Sequence, residues 1–230
     1  MLLDVERLTG GYRNIRIVHE VTFAIGEGGT VALLGRNGVG KTSLLRILAG
    51  LADRHSGEIR IDGKPLRHGS PSELIRTGIA FVPDTRGVFP RLTVAENMRL
   101  ARLYAYAEPK FDAFELFPDL KPRLKQTAGS LSGGLQQQLA IARAIGMGPR
   151  LLVIDELTQG LQPSVIQHLV ATLRMVAESY GLAILLVDQN PGLAMELCAD
   201  TMIMEHGRLA MQGRSEELAA DPRAIDLLVV

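Results

Sequence analysis

The sequence predicts an α/β fold: a mostly parallel sheet covered by helices, with an antiparallel β portion near the start and a helical subdomain set into the middle. Three observations predict it. TVALL (Thr30–Leu34) is a short β-branched, apolar run that leads into GRNGVGKT (Gly35 to Thr42) and then into a helical pattern. From LLVID onward, strand-like and helix-like stretches alternate, as the crossovers of a parallel sheet require. Between these two parts, residues 86 to 148 read as mostly helical, a stretch that interrupts the alternation.

Each element has its own signal. LLDVERL and IVHEVTFAI read as strands joined by a turn at Gly10-Gly11. KTSLLRILAG is a helix pattern with Gly50 as its stop. EIRIDG alternates like a half-buried strand and ends in a glycine turn, and IAFVP is an apolar strand. TVAENMRLARLYAYA carries Thr93 with Glu96 three residues on, a capping box at a helix start. FDAFELFPDLKPRL keeps helical spacing until its prolines stop it. LSGGLQQQLAIARAI opens a further helix with Ser132 as cap. LLVID, a helix after Pro163, LAILLVD, a helix after Pro191, TMIMEHG and RLAMQG complete the chain.

Composition narrows the function. The 230 residues suit one domain with a subdomain, or two small domains, and 47% hydrophobic content supplies a sizeable core. Lys+Arg and Asp+Glu are both 25, and the chain has no Trp, four Tyr and six Phe. Neither a nucleic-acid-coating surface nor a base-stacking platform is indicated, so no nucleic-acid partner is expected. Cys198 stands alone, which excludes a disulfide framework, fits a reducing compartment, and reads as a small buried apolar residue. MLLDVERLTGGY, charged by residue 4, is not read as a signal peptide, and no apolar run has the length of a membrane span.

Three strings carry chemistry. In GRNGVGKT, Gly35, Gly38 and Gly40 permit backbone conformations that a Cβ obstructs. The N–H groups of Gly35, Arg36, Asn37, Gly38, Val39 and Gly40 can then turn inward around an anion. The helix that follows adds free N–H donors and a partial positive charge. Lys41 reaches the β- and γ-phosphates, the Thr42 hydroxyl ligates Mg²⁺, and Ser43 is a polar neighbour on the first turn. The second string, LLVIDE, is a buried strand ending in two acids that project in different directions: Asp155 toward the metal, Glu156 toward the γ-phosphate. In the third, Ser132 caps a helix while Gly133 and Gly134 let N–H groups approach a ligand. This is either a second anion site or an ordinary capped amphipathic helix. As an anion site it implies a head-to-tail dimer in which each chain's LSGG covers the other's phosphate loop.

Together, in this order and spacing, these motifs resemble the ATP-binding-cassette (ABC) ATPases over essentially the whole chain. The strings AFVPDTRGVFPRLTVAEN, ELFPDLKPRLKQTAGSLSGG, LLVDQNPGLAMELCAD and EHGRLAMQG resemble most the second ATPase subunit of branched-chain amino acid importers, the LivF type. The resemblance implies a P-loop NTPase core forming a single domain over residues 1 to 230, with a helical subdomain at about 86 to 148. It implies ATP and Mg²⁺ as cofactors and Glu156 as catalytic base. Tyr12 falls where the family stacks an aromatic on adenine, although an exposed turn Tyr is an ordinary alternative. Asp84 stands where most cassettes place a Gln that senses Mg²⁺ and the membrane partner. Gln189 stands where most place a switch His; it can donate a hydrogen bond but cannot carry charge. Both substitutions fit the amino-acid importer subtype. Leu135, Leu157 and Gln162 depart from the usual Gln or Glu, Pro and Asp.

The implied role is ATP hydrolysis that energises solute import, for branched-chain amino acids or a related small polar solute. The implied partners are permease subunits, a second ATPase subunit (a copy or a different chain) and, indirectly, a periplasmic binding protein. The implied location is the inner face of the cell membrane. The three departures motivate an alternative, a nucleotide-gated regulatory cassette with little hydrolysis of its own. A DNA-repair or translation cassette would bring coiled-coil insertions or a tandem cassette, and a nucleotide kinase would leave LSGG unexplained.

Overall fold

A computed structural model describes residues 1–66 and 71–228. In chain order the elements are β1 (Leu3–Tyr12), β2 (Ile15–Ile25), β3 (Thr30–Leu34), α1 (Lys41–Leu48), β4 (Asp53–Ile61), β5 (Lys64–Pro65), α2 (Pro71–Arg76) and β6 (Ile79–Val82). There follow α3 (Val94–Leu103), α4 (Ala113–Leu116), α5 (Gly133–Ile145), β7 (Leu151–Asp155), α6 (Pro163–Tyr180), β8 (Ala183–Val187) and α7 (Pro191–Leu197). The chain closes with β9 (Asp200–Glu205), β10 (Arg208–Arg214), α8 (Ser215–Ala220) and α9 (Pro222–Leu228).

The strands form two sheets. β2-β1-β4-β5 is antiparallel throughout. In β10-β9-β3-β8-β7-β6, every pair is parallel except the β9–β10 hairpin at the edge. The central strands are buried on both faces, which is why they read as continuous apolar runs rather than alternating ones. Val31, Leu33, Leu151, Val153 and Leu185 face one core with β1, β2, β4 and α1. Their neighbours Ala32, Leu34, Leu152, Ile154 and Leu186 face the other, with α5, α6 and α7. At about 25 cal/mol per Å² of buried apolar surface, these two packed faces dominate the stability of the fold.

Two sequence expectations need correction. Gly10 and Gly11 are not a turn: β1 runs through them to Tyr12, and the chain reverses at Arg13-Asn14, with Arg13 at φ 52°. The glycines serve close approach instead. A Cβ on Gly10 would lie 2.3 Å from the Asp53 carbonyl oxygen, and one on Gly11 2.0 Å from that of Ile15. The prolines after α4 do not stop helical structure either: Pro118–Arg123 is a 3₁₀ helix with Pro118 in its first turn, where its missing N–H costs nothing. The capping signals hold. The Glu96 N–H donates to Thr93 Oγ1 and the Thr93 N–H returns to Glu96 Oε2. At α5, the Leu135 N–H donates to Ser132 Oγ.

Candidate nucleotide site

The parallel strands β3, β8 and β7 lie side by side in that order, with Leu33 opposite Val187 and Asp155 opposite Val187. Their C-terminal ends are therefore level, and whatever follows each strand is delivered to one edge. After β3 comes the glycine-rich loop, after β7 Glu156, and after β8 Asp188 and Gln189.

The loop requires its glycines. Gly35, Gly38 and Gly40 have φ of 147°, 77° and 111°, and a Cβ on Gly35 would sit 2.4 Å from the Met204 carbonyl oxygen. Gly40 is also the N-cap of α1 and supplies no side-chain cap, so the first-turn N–H groups are left for a ligand. Lys41 is buried, and its ammonium donates to the carbonyls of Gly35 (2.6 Å) and Arg36 (2.9 Å). Burial lowers its pKa, a shift opposed by the charges of Glu156, Asp155 and Asp188. An ammonium parked on carbonyls beside a helix start with no side-chain cap fits a polyphosphate, which offers it oxygens of full negative charge.

Asp155 and Thr42 are brought together. The Thr42 hydroxyl donates to Asp155 Oδ1 at 3.4 Å. Asp155 is 1% exposed, and its carboxyl is pushed up to about 6, chiefly by burial and further by the charges of Asp84 and Glu156, with the Thr42 bond opposing. A carboxylate and a hydroxyl are hard oxygen donors of the kind magnesium takes alongside phosphate, and a divalent cation relieves the charge that burial penalises. Asp84 faces this pair by its charge, while its Oδ1 accepts from the Thr85 N–H.

Glu156 lies in the left-handed region at φ 59°, a conformation that strains a non-glycine residue. Its N–H donates to the Val187 carbonyl at 2.8 Å, and its Oε1 accepts from Gln189 Nε2 at 3.0 Å. Tyr12 ends β1 half-buried against the core, with its hydroxyl accepting from Arg46 Nη1 at 3.2 Å. Ser132, Gly133 and Gly134 open α5, where Arg86 packs beside Gly133 and Val165 beside Gly134. Leu135 turns inward against the larger core, with Leu161 and Val165.

Sequence reasoning passed over four residues. Asp188 is buried at the end of β8 and accepts from the N–H groups of Leu157, Thr158, Gln189 and Asn190. Its signal was available, since LAILLVD is an apolar strand ending in an acid just as LLVID is. Asn97, fully buried, braces the loop before α3 through the Phe89 N–H and carbonyl and the Thr93 carbonyl. Arg143 donates to the Gly87 carbonyl and lies over the Phe89 ring at 5.1 Å. Arg86 donates to Gln136 Oε1. No local pattern announces Arg86 and Arg143, whose partners are some fifty residues away, whereas the Asn97 partners lie within eight residues but on an irregular loop.

Residues 18–159 match the ABC transporter family model. The chain belongs to that family and is the ATP-hydrolysing subunit of a transporter. It is 36% identical over 229 residues to the high-affinity branched-chain amino acid transport ATP-binding protein BraG of Pseudomonas aeruginosa, covering 98% of each chain. It is 34% identical to the probable branched-chain amino acid transport ATP-binding protein LivF of Archaeoglobus fulgidus, over 94% of each. A solved ATP-binding subunit of an ABC transporter superposes with a TM-score of 0.83 at 30% identity, covering 100% of this chain and 95% of that one.

Proposed function

We propose that this chain hydrolyses ATP to drive import of branched-chain amino acids or a related small polar solute, working at the inner face of the cell membrane. The observation that supports it most is the delivery of Lys41, Thr42, Asp155, Glu156 and Gln189 to one sheet edge in a chain so similar to branched-chain amino acid transport ATPases. No helix among the described residues is long and apolar enough to cross a membrane; in this reading the chain docks on permease subunits. Their docking surface is the side of the helical stretch near Asp84 to Asn97. There Phe89 is 49% exposed on a loop held from beneath by Asn97 and Arg143.

In this reading the phosphate loop, from Gly35 to Gly40, holds the β- and γ-phosphates while Lys41 leaves its carbonyls for them. Magnesium, held by Thr42 and Asp155 with Asp84 close by, would neutralise phosphate charge. Glu156 accepts a proton from the attacking water, and Gln189 fixes the Glu156 carboxylate by its amide hydrogen bond. Ser132, Gly133 and Gly134 would contact the nucleotide of a second ATPase chain, and Tyr12 the adenine. Closure of two such chains on ATP, and reopening after hydrolysis, would drive the permeases.

The test is ATP binding and single-turnover hydrolysis by the purified chain, with Glu156→Gln as comparison. Loss of hydrolysis by roughly 10²- to 10⁴-fold with binding retained is expected for a general base. Equal rates in both proteins would remove Glu156 from the role.

A further inference from the structure

The catalytic edge has a buried fastener that the motifs do not include. Asp188 is 2% exposed and follows β8, the strand between the one that enters the phosphate loop and the one that ends in Asp155. Its Oδ2 accepts from the N–H of Leu157 (3.1 Å), the N–H of Thr158 (3.3 Å) and the Thr158 hydroxyl (3.2 Å). Its Oδ1 accepts from the N–H of Gln189 (2.7 Å), the N–H of Asn190 (2.9 Å) and again the Thr158 hydroxyl (3.1 Å). One carboxylate thus ties the segment after Glu156 to the segment that carries Gln189.

The placement of these bonds matters more than their number. The Leu157 N–H belongs to the peptide that leaves Glu156, and the Glu156 N–H on the Val187 carbonyl holds the peptide that enters it, so the two bonds together hold Glu156 in its left-handed conformation at φ 59°. Such a conformation persists only where surrounding contacts hold it. The Gln189 N–H, held by the other oxygen, fixes the start of the residue whose amide reaches Glu156 Oε1. Leu157 is part of the arrangement: a proline, usual at this position, has no N–H to give. The departure from the usual sequence therefore adds a bond to the buried carboxylate.

We infer that Asp188 is the positioning residue of this ATPase, holding Glu156 and Gln189 in register through the Leu157 and Gln189 amides. The inference rests on Glu156 being the base. Asp188→Asn keeps the shape but turns an NH₂ toward groups that are all donors. It should slow single-turnover hydrolysis roughly 10- to 100-fold, the cost of misplacing a reacting group by about an ångström. Affinity for Mg-ATP should change much less than the rate, because Asp188 bonds none of Gly35 to Thr42 and acts on Lys41 through its charge alone. In a Glu156→Gln background the same change should cost nothing further, since it acts through the missing base. Hydrogen exchange should accelerate in peptides spanning residues 156 to 159 and 188 to 190, a readout that needs no turnover. Thr158→Val, which removes only the hydroxyl donor, should give the same pattern more weakly in a protein that keeps its backbone contacts. If Asp188→Asn leaves exchange and turnover at wild-type values, or lowers ATP affinity in step with rate, or adds its full loss to that of Glu156→Gln, the inference is wrong. If instead Glu156→Gln alone turns over normally, the assignment of the base fails, and the exchange result still decides whether Asp188 holds the two segments.

Discussion

The two ends of the parallel sheet treat charge in opposite ways. At the C-terminal edge, Lys41, Asp155 and Asp188 are each less than a tenth exposed, and the backbone beside them is strained at Glu156. At the N-terminal edge, Arg150, just before β7, pairs with Asp62 (2.8 Å) and Glu27. The Arg150, Asp62 and Glu27 side chains are 27%, 45% and 62% exposed. One end buries its charges, with Lys41 and Asp188 met by protein groups and Asp155 by little more than the Thr42 hydroxyl; the other holds charges paired in water. Opposite ends of the same strands thus handle charge differently, while stability rests mainly on the apolar faces between them.

Substitutions can sharpen that contrast. The largest effect is expected from Gly35→Ala. Its Cβ would meet a backbone oxygen at 2.4 Å, which cannot swing away, so a loss of about 2–5 kcal/mol in denaturant unfolding and a collapse of ATP affinity are expected. Gly38→Ala is its internal control, with a positive φ but nothing within 4 Å. A smaller penalty there would separate collision from backbone strain.

Next comes Asp155→Asn, which should stabilise the nucleotide-free protein. The folded-state pKa is raised from 3.8 to about 6, so the folded form binds the extra proton. The stability this lends is fully present below about pH 4 and lost as pH rises through 6, leaving the ionised group a burden of about 3 kcal/mol. Unfolding curves from pH 4 to 8 should therefore show the wild type falling behind the variant up to about pH 6, with a constant gap above it. A wild type that gains on the variant over that range would reverse the argument. The smallest effect is expected from Arg150→Met, about 1 kcal/mol of stability, because its pairs are screened by solvent. Hydrolysis should be unchanged; a loss of turnover there would show that the two ends are coupled.

Much of this was legible before any coordinates. TVALL and GRNGVGKT fall on β3 and the loop before α1, and Thr93 with Glu96 forms the capping box that its spacing announced. Local rules served well wherever both partners lay within one turn of helix or one strand. They failed where a residue answers to a distant strand. Gly10-Gly11 carried a turn's composition but meets β4 and β2 at close range, and only the tertiary pairing tells these apart. Arg143 was missed for the same reason, since it answers to Gly87 and Phe89, far back in the sequence, and a sequence displays the group without the partner.

The lone thiol has a practical consequence. Cys198 is 2% exposed, and burial pushes its pKa up to about 12, so alkylating reagents that need a thiolate have nothing to attack while the chain is folded. Because the sequence contains no other cysteine, the folded protein is a blank background for site-directed labels. A cysteine placed on the phosphate loop or beside Phe89 could carry a fluorophore without a competing site. Left unmodified, Cys198 becomes a clock, its rate of alkylation counting each time the region around α7 opens.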